Sequence, residues 1–142
     1  MKSQEVLLRL YDRFNRHEFT PSDDLFATDA VVECPPFRHQ GNGAVAWRAF
    51  VDRVATAFPD ARLRAEQLSK LADSIYQCVL LCNGTHRGTF DVGSYGQFAP
   101  TGRRVQMTFH QLVQFRGGKI VYMNVSFDPT ELTRQVKGGT AH

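Results

Sequence analysis

Hydrophobic positions before Pro59 recur mostly at helical spacing, and from Ala61 onward they alternate with polar ones. This change of period from 3.6 to 2 predicts helices first and a sheet afterwards. Leu7, Leu10, Tyr11 and Phe14 form the stripe of a first helix to about residue 16, with Ser3 as N-cap candidate and Arg9, Asp12, Arg13 and Arg16 on the polar side. Thr20-Pro21-Ser22-Asp23 combines a capping residue, a proline and an early acid, which predicts a short second helix carrying Leu25 and Phe26. Ala30 to Cys34 reads as a strand stopped by Pro35-Pro36. Asn42-Gly43 opens the longest helix, whose apolar band is Val45, Trp47, Phe50, Val51, Val54 and Phe58, and Pro59 ends it.

In the second part, Leu63, Ala65, Gln67, Ser69 and Leu71 alternate with Arg62, Arg64, Glu66 and Lys70. Asp73-Ser74 marks a turn, and Ile75 to Cys82 begins a strand that runs on to His86. The glycine-rich stretch from Gly88 to Gly102 reads as a loop. Next, Val105, Met107, Phe109, Val113 and Phe115 share one face of a long strand, with Gln106, Thr108, His110 and Gln114 on the other. Gly117-Gly118 turns the chain into a last strand with Val121, Met123, Val125 and Phe127 on a common face. Helices followed by strands give an α+β fold, read as a single domain over residues 1–142.

Composition narrows the functional classes. A chain of 142 residues with 42% hydrophobic content buries a real core. The net charge of +3 is spread along the chain, and Arg62, Arg64 and Lys70 alternate with apolar residues, so no nucleic-acid partner is expected. Eleven Phe supply rings for a core or for the wall of a ligand pocket. Cys34, Cys78 and Cys82 read as free apolar core thiols, since Cys78 and Cys82 lie about 13 Å apart along one strand. Met1-Lys2-Ser3-Gln4-Glu5 opens a charged helix rather than a signal peptide, and no apolar run approaches the ~20 residues of a membrane span. A cytoplasmic protein that does not engage a membrane is the expectation. The five histidines show no ligand spacing, so neither a metal nor another cofactor is expected.

Three pieces, in order, carry a family resemblance: Gly84-Thr85-His86-Arg87-Gly88, Pro100-Thr101-Gly102-Arg103, and Gly118-Lys119-Ile120 followed by Asp128. With Leu132, Arg134 and Gln135 as a closing segment, the chain resembles the SnoaL-like polyketide cyclases, within the nuclear transport factor 2-like and ketosteroid isomerase-like superfamily. The resemblance implies a cone-shaped, curved antiparallel sheet with three N-terminal helices packed on its concave face. It also implies a hydrophobic pocket for a small cyclic or polyketide-like molecule, and a homodimer formed through the outer sheet face. In those cyclases an aspartate six residues after the hairpin lysine carries the proton, and here that place is Val125. The ketosteroid isomerase base falls at Cys34, in Val32-Glu33-Cys34-Pro35, and the two oxyanion-binding positions fall at Leu10 or Tyr11 and at Gln111.

Several residues therefore carry two readings. Cys34 is a pocket thiolate or a buried core thiol. Gln111, on an otherwise apolar face, bonds within the protein or orients a ligand. His86 points into the cavity as an acid/base group or bonds across the sheet. Asp128-Pro129-Thr130-Glu131 is a family acid or the cap of a final helix, and the cap accounts for all four residues. Tyr11, Phe14, Trp47, Phe50, Met123, Val125 and Phe127 form the expected lining, with His86, Gln111 and Cys34 as candidate catalytic groups. Binding or divergent chemistry, a cyclase- or isomerase-type reaction on a carbonyl compound, and a dimeric protein-association module remain the three functional readings.

Overall fold

The computed structural model describes residues 2–18 and 22–137, apart from the side chain of Ser94. Helix α1 spans Ser3–Asn15 and buries Val6, Leu7, Leu10, Tyr11 and Phe14. Ser3 is its first helical residue, and Lys2 occupies the cap position without a side-chain capping bond. Strand β1 is Phe26–Cys34, β2 is His39–Asn42, and α2 is Gly43–Ala57. Strands β3 (Arg62–Ala72) and β4 (Ile75–Thr85) follow, then a two-stranded pair of β5 (Phe90–Asp91) and β6 (Gln97–Phe98). The long hairpin of β7 (Arg104–Arg116) and β8 (Lys119–Ser126) precedes α3 (Pro129–Val136).

Six strands form a sheet in the order β2-β1-β8-β7-β4-β3. Every pairing is antiparallel except β1 with β8, which run parallel. Two helices precede most of the sheet and one closes the chain. The short helix expected near residue 22 begins on residues that lie outside the description, and its remainder is not helical. Asp23, Asp24 and Leu25 form a turn, and Phe26 opens β1 opposite Ile120. Leu25 accepts a hydrogen bond from the Ile120 amide at 2.9 Å, so sheet pairing captures a segment too short to nucleate a helix.

Three register shifts correct the expected alternation. In β3 the register slips between Ala65 and Gln67 and again between Lys70 and Ala72, which brings Leu68 against the core and leaves Leu71 57% exposed. Between Gln114 and Phe115 the β7–β8 register also shifts, so Ile120 rather than Val121 joins Met123, Val125 and Phe127 inside. Val45, expected in the α2 band, is on its exposed side. The hairpin turn itself has φ of 59° at Gly117 and 77° at Gly118, as a tight turn matched to strand twist requires.

Side-chain amides complete the sheet's open edges. Asn15, at the end of α1, donates to the Leu63 carbonyl at 2.9 Å and accepts from the Leu63 amide at 2.7 Å, which fixes α1 against the β3 edge. Where β8 has ended, Gln135 of α3 makes the same paired contacts, both 2.8 Å, to the backbone of Gln106. Asp128 caps α3 by accepting from the Thr130 and Glu131 amides at 2.9 and 3.3 Å. Glu131 does not return the contact of a full capping box; it pairs with Arg134 instead. Among the described residues no helix is long and apolar enough to cross a membrane.

Candidate functional site

The inward face of the sheet, covered by α1 and α2, holds the expected lining residues. Tyr11 and Phe14 come from α1, Trp47 and Phe50 from α2, and Met123, Val125 and Phe127 from β8 and its continuation, and none is more than 6% exposed. A cavity of several hundred Å³, the ordinary size of a ligand site, would leave its walls accessible to water. Here side chains fill that space. Phe50 meets Phe37, Trp47 and Phe109 at ring-centroid distances of 5.3–5.7 Å, and Phe127 meets Phe37 and Phe109 at 5.0 and 5.7 Å. Phe14 and Trp47 also line a cleft between α1 and α2, together with Leu10, Val51, Arg13 and Arg48.

Within this apolar interior one polar contact spans the molecule. Strand parity places Gln111 on the inward face of β7, 2% exposed, with His110 on the outward face. The Tyr11 hydroxyl, on α1, donates to Gln111 Oε1 at 2.6 Å. Burial, followed by the neighbouring Cys78, raises the Tyr11 pKa well above the usual phenol range, so at neutral pH the side chain is a neutral donor. Gln111 stands between Cys78 on β4 and Val125 on β8 in the sheet ladders, and neither neighbour carries a charge there at neutral pH.

Cys34 lies at the end of β1, fully buried. Its predecessor Glu33 pairs with Asn124 of β8, and Gln111 pairs with Val125 from the other side. Cys34 and Gln111 thus flank one strand, roughly 10 Å apart. Burial pushes the Cys34 thiol up to about 12, against smaller opposing effects from the Phe37 amide and Arg53. At neutral pH it is a thiol, not a thiolate. Cys78 and Cys82 are likewise free and buried.

His86 belongs to another part of the protein. Cys78, opposite Gln111, precedes His86 by eight positions, about 26 Å along an extended strand. His86 Nδ1 bonds to Thr101 Oγ1 at 3.0 Å, its amide donates to the Arg103 carbonyl, and its carbonyl accepts from the Gly102 amide. The ring packs on Phe58 and Phe90 at 5.5 and 6.4 Å, and Nε2 is buried without a partner of hydrogen-bonding geometry. Burial lowers its pKa more than the nearby Phe98 and Gly88 carbonyls raise it. Of the three candidate catalytic residues, Gln111 and Cys34 therefore share one region and His86 tethers the Pro100–Arg103 turn to the end of β4.

The glycines of Gly84-Thr85-His86-Arg87-Gly88 are also packing devices. A Cβ on Gly84 would lie 2.7 Å from Phe58 Cβ, and one on Gly88 would lie 1.9 Å from the Thr56 carbonyl oxygen. Sequence reasoning overlooked Phe37 and Arg53. Phe37 sits on a 3-10 turn, Pro35–Phe37, at the centre of the aromatic cluster, and Arg53 of α2 reaches over it. The Pro35-Pro36 break before a phenylalanine is the one sequence signal that pointed there.

Comparison with known proteins agrees with this architecture. A proposed polyketide cyclase from Acidithiobacillus ferrooxidans superposes with a TM-score of 0.80 at 18% identity, covering 99% of this chain and 97% of that one. IdmH, a proposed polyketide cyclase from Streptomyces antibioticus, gives 0.79 at 21% identity, covering 96% and 99%. A protein with a ketosteroid isomerase-like fold from Catenulispora acidiphila, solved with trimethylamine, gives 0.71 at 12% identity, covering 96% and 95%. At these identities the likeness is one of fold. No curated protein matches the sequence. The SnoaL-like polyketide cyclase pattern, however, matches residues 5–136, nearly the whole chain. The chain belongs to the SnoaL-like polyketide cyclase family.

Proposed function

We propose that this protein binds a small hydrophobic, cyclic or polyketide-like carbonyl compound in the interior between α1, α2 and the sheet, with Tyr11 and Gln111 as its polar contact. The observation that carries the reading is the 2.6 Å bond from the Tyr11 hydroxyl to Gln111 Oε1, buried among apolar side chains. A ligand oxygen that takes the place of Gln111 Oε1 receives the same hydroxyl proton, and the Gln111 amide supplies a second donor. The ligand must displace part of the aromatic filling, and it repays that cost by burying its own apolar surface. By the resemblance to ketosteroid isomerases, Leu10 or Tyr11 and Gln111 fall at the two positions that bind the oxyanion there.

The donors lack a base. Val125 stands where the cyclases place their aspartate, and Cys34, with its pKa pushed up to about 12, stays protonated. Donors without a proton acceptor favour binding, or chemistry that needs no proton abstraction, over the family's ring closure. A thermal-shift screen of polycyclic ketones and phenols tests this, since a ligand of the folded state raises the melting midpoint. The expected result is a set of ketones that stabilise the protein and lose about tenfold in affinity in Tyr11→Phe, for loss of one hydrogen bond. Equal binding by Tyr11→Phe and Gln111→Leu, or no stabilising compound, overturns the reading.

The partner at the outer sheet face is proposed to be a second copy of the chain. That face carries Leu112, 41% exposed, between Gln77 of β4 and Asn124 of β8. Beside it Tyr122 and Asn124 donate to Glu33 Oε1 at 2.5 and 3.2 Å. The Tyr122 contact is the largest cause of a lowered Glu33 pKa.

A further inference from the structure

Phe37 closes the interior in a way that an ordinary core residue does not. Its ring is 2% exposed and packs on Phe50, Phe90 and Phe127 at 5.7, 5.7 and 5.0 Å. Yet its backbone belongs to the 3-10 turn between β1 and β2, and not to a strand ladder. The next residue, Arg38, has φ of 54°, a left-handed conformation disfavoured for side chains other than glycine. On the α2 side, Arg53 covers the ring. Arg53 Nη1 donates to the Phe37 carbonyl at 2.8 Å, its guanidinium lies 4.8 Å from the Phe37 ring centroid, and Nη2 reaches Asp91 Oδ2 at 3.3 Å.

We propose that Phe37 is a hinged plug and Arg53 its latch, so that the ligand enters the interior through the corner formed by the Pro35–Phe37 turn and β5. The route rests on the ligand-binding function proposed above, whereas the plug and latch stand on contacts within the chain. Arg53 ties the plug to β5, whose Phe90 buttresses the Phe37 ring, so releasing one side chain unties the plug from that wall. The latch is also accessible: the Arg53 and Asp91 side chains are 28% and 44% exposed, so water competes for the ion pair. Movement of Phe37 would leave Phe50 and Phe127 lining the space it occupied. It would also uncover Cys34, whose thiol lies against the Phe37 amide.

Cys34 reports the opening without any ligand. Iodoacetamide alkylation of the folded protein, followed by peptide mass spectrometry, gives a rate for each cysteine. Cys82 is the internal control, because it is equally buried and burial likewise pushes its pKa up. Arg53→Gln is expected to speed Cys34 alkylation about tenfold relative to Cys82, for loss of charged hydrogen bonds. Phe37→Ala is expected to speed it further, and Arg53→Gln to add little in that background. If Arg53→Gln leaves Cys34 unchanged, or speeds all three cysteines together as global unfolding would, the latch is overturned. A fast Cys34 in Arg53→Gln beside a failed ligand screen supports the latch and overturns the function proposed above.

Discussion

Cys78 stands directly opposite Gln111 in the β4–β7 ladder, and the Tyr11 hydroxyl reaches down from α1 to both. The interior thus contains a small polar island built from a helix and two adjacent strands. Removing one member leaves its partner short of a hydrogen bond. Tyr11→Phe leaves Gln111 Oε1 buried without its donor, a loss of about 1–3 kcal/mol, and Gln111→Leu leaves the hydroxyl with Cys78 as its neighbour in place of its 2.6 Å acceptor. The double variant removes both polar groups, so its destabilisation should fall short of the sum of the two single values. Urea denaturation of the four proteins measures the difference, and simple additivity would mean that the pair is not coupled.

Two acid transitions are expected. His86 is buried with a lowered pKa, so the unfolded chain binds its proton more readily than the folded one. Stability from this residue is complete above about pH 6.5, the unfolded value, and declines as pH falls below it until the folded value is passed. Asp60 behaves differently. The Thr85 amide and hydroxyl, at 2.7 and 2.8 Å, hold its carboxylate and lower its pKa, so its contribution is present above the unfolded carboxylate value near 3.9 and is lost as pH falls through the folded one. Melting temperatures from pH 8 to pH 3 should show the first decline reduced in His86→Gln and the second reduced in Asp60→Asn. If His86→Gln keeps the native slope near pH 6, His86 is not its source.

The three motif glycines should differ in cost for steric reasons. Gly88→Ala drives a Cβ to within 1.9 Å of the Thr56 carbonyl oxygen on the α2 backbone, and both Arg87 and Gly88 amides bond to the adjacent Ala57 carbonyl. Neither backbone can retreat without losing those bonds, so a cost of about 3 kcal/mol or more is expected. Gly84→Ala meets the Phe58 side chain at 2.7 Å and should cost about 1–3 kcal/mol. Gly102→Ala meets nothing within 4 Å and pays only for a φ of 71°, about 1 kcal/mol. Equilibrium unfolding ranks the three, and a Gly102→Ala as damaging as Gly88→Ala would contradict the steric account.

The long strand β7 shows what a sequence makes legible. Its alternation runs unbroken from Val105 to Phe115, so parity alone placed Gln111 inward and His110 outward. In β3 the same argument failed, because each bulge inserts a residue and inverts the faces beyond it, and nothing in Gln67-Leu68-Ser69 announces the slip. At residues 22–26 a helix-start signature was outweighed by a pairing partner almost a hundred positions away, Ile120. Periodicity placed Phe14, Trp47, Phe50 and Phe127 on buried faces, but it did not reveal Phe37, which packs at the centre of their cluster. Arg53, Phe37 and Asp91 lie on three different elements, and periodicity within each element carries no information about a contact among them.

Leu112 offers the test of the outer face. It projects from the centre of β7, away from the core, so its substitution should leave folding largely intact. A chain that pairs through this face buries Leu112 against its copy, and a twofold axis places the same residue on both sides. Leu112→Glu then sets two carboxylates in the interface, where like charges out of water cost far more than on an exposed surface. Sedimentation velocity is expected to find native protein as a dimer and Leu112→Glu as a monomer, with the dimer constant weakened at least about a hundredfold, equivalent to about 2.7 kcal/mol. Because neither Tyr11 nor Gln111 is touched, ligand stabilisation should persist in the monomer. A native monomer, or a Leu112→Glu dimer of native affinity, would show that this face is not where the copies meet.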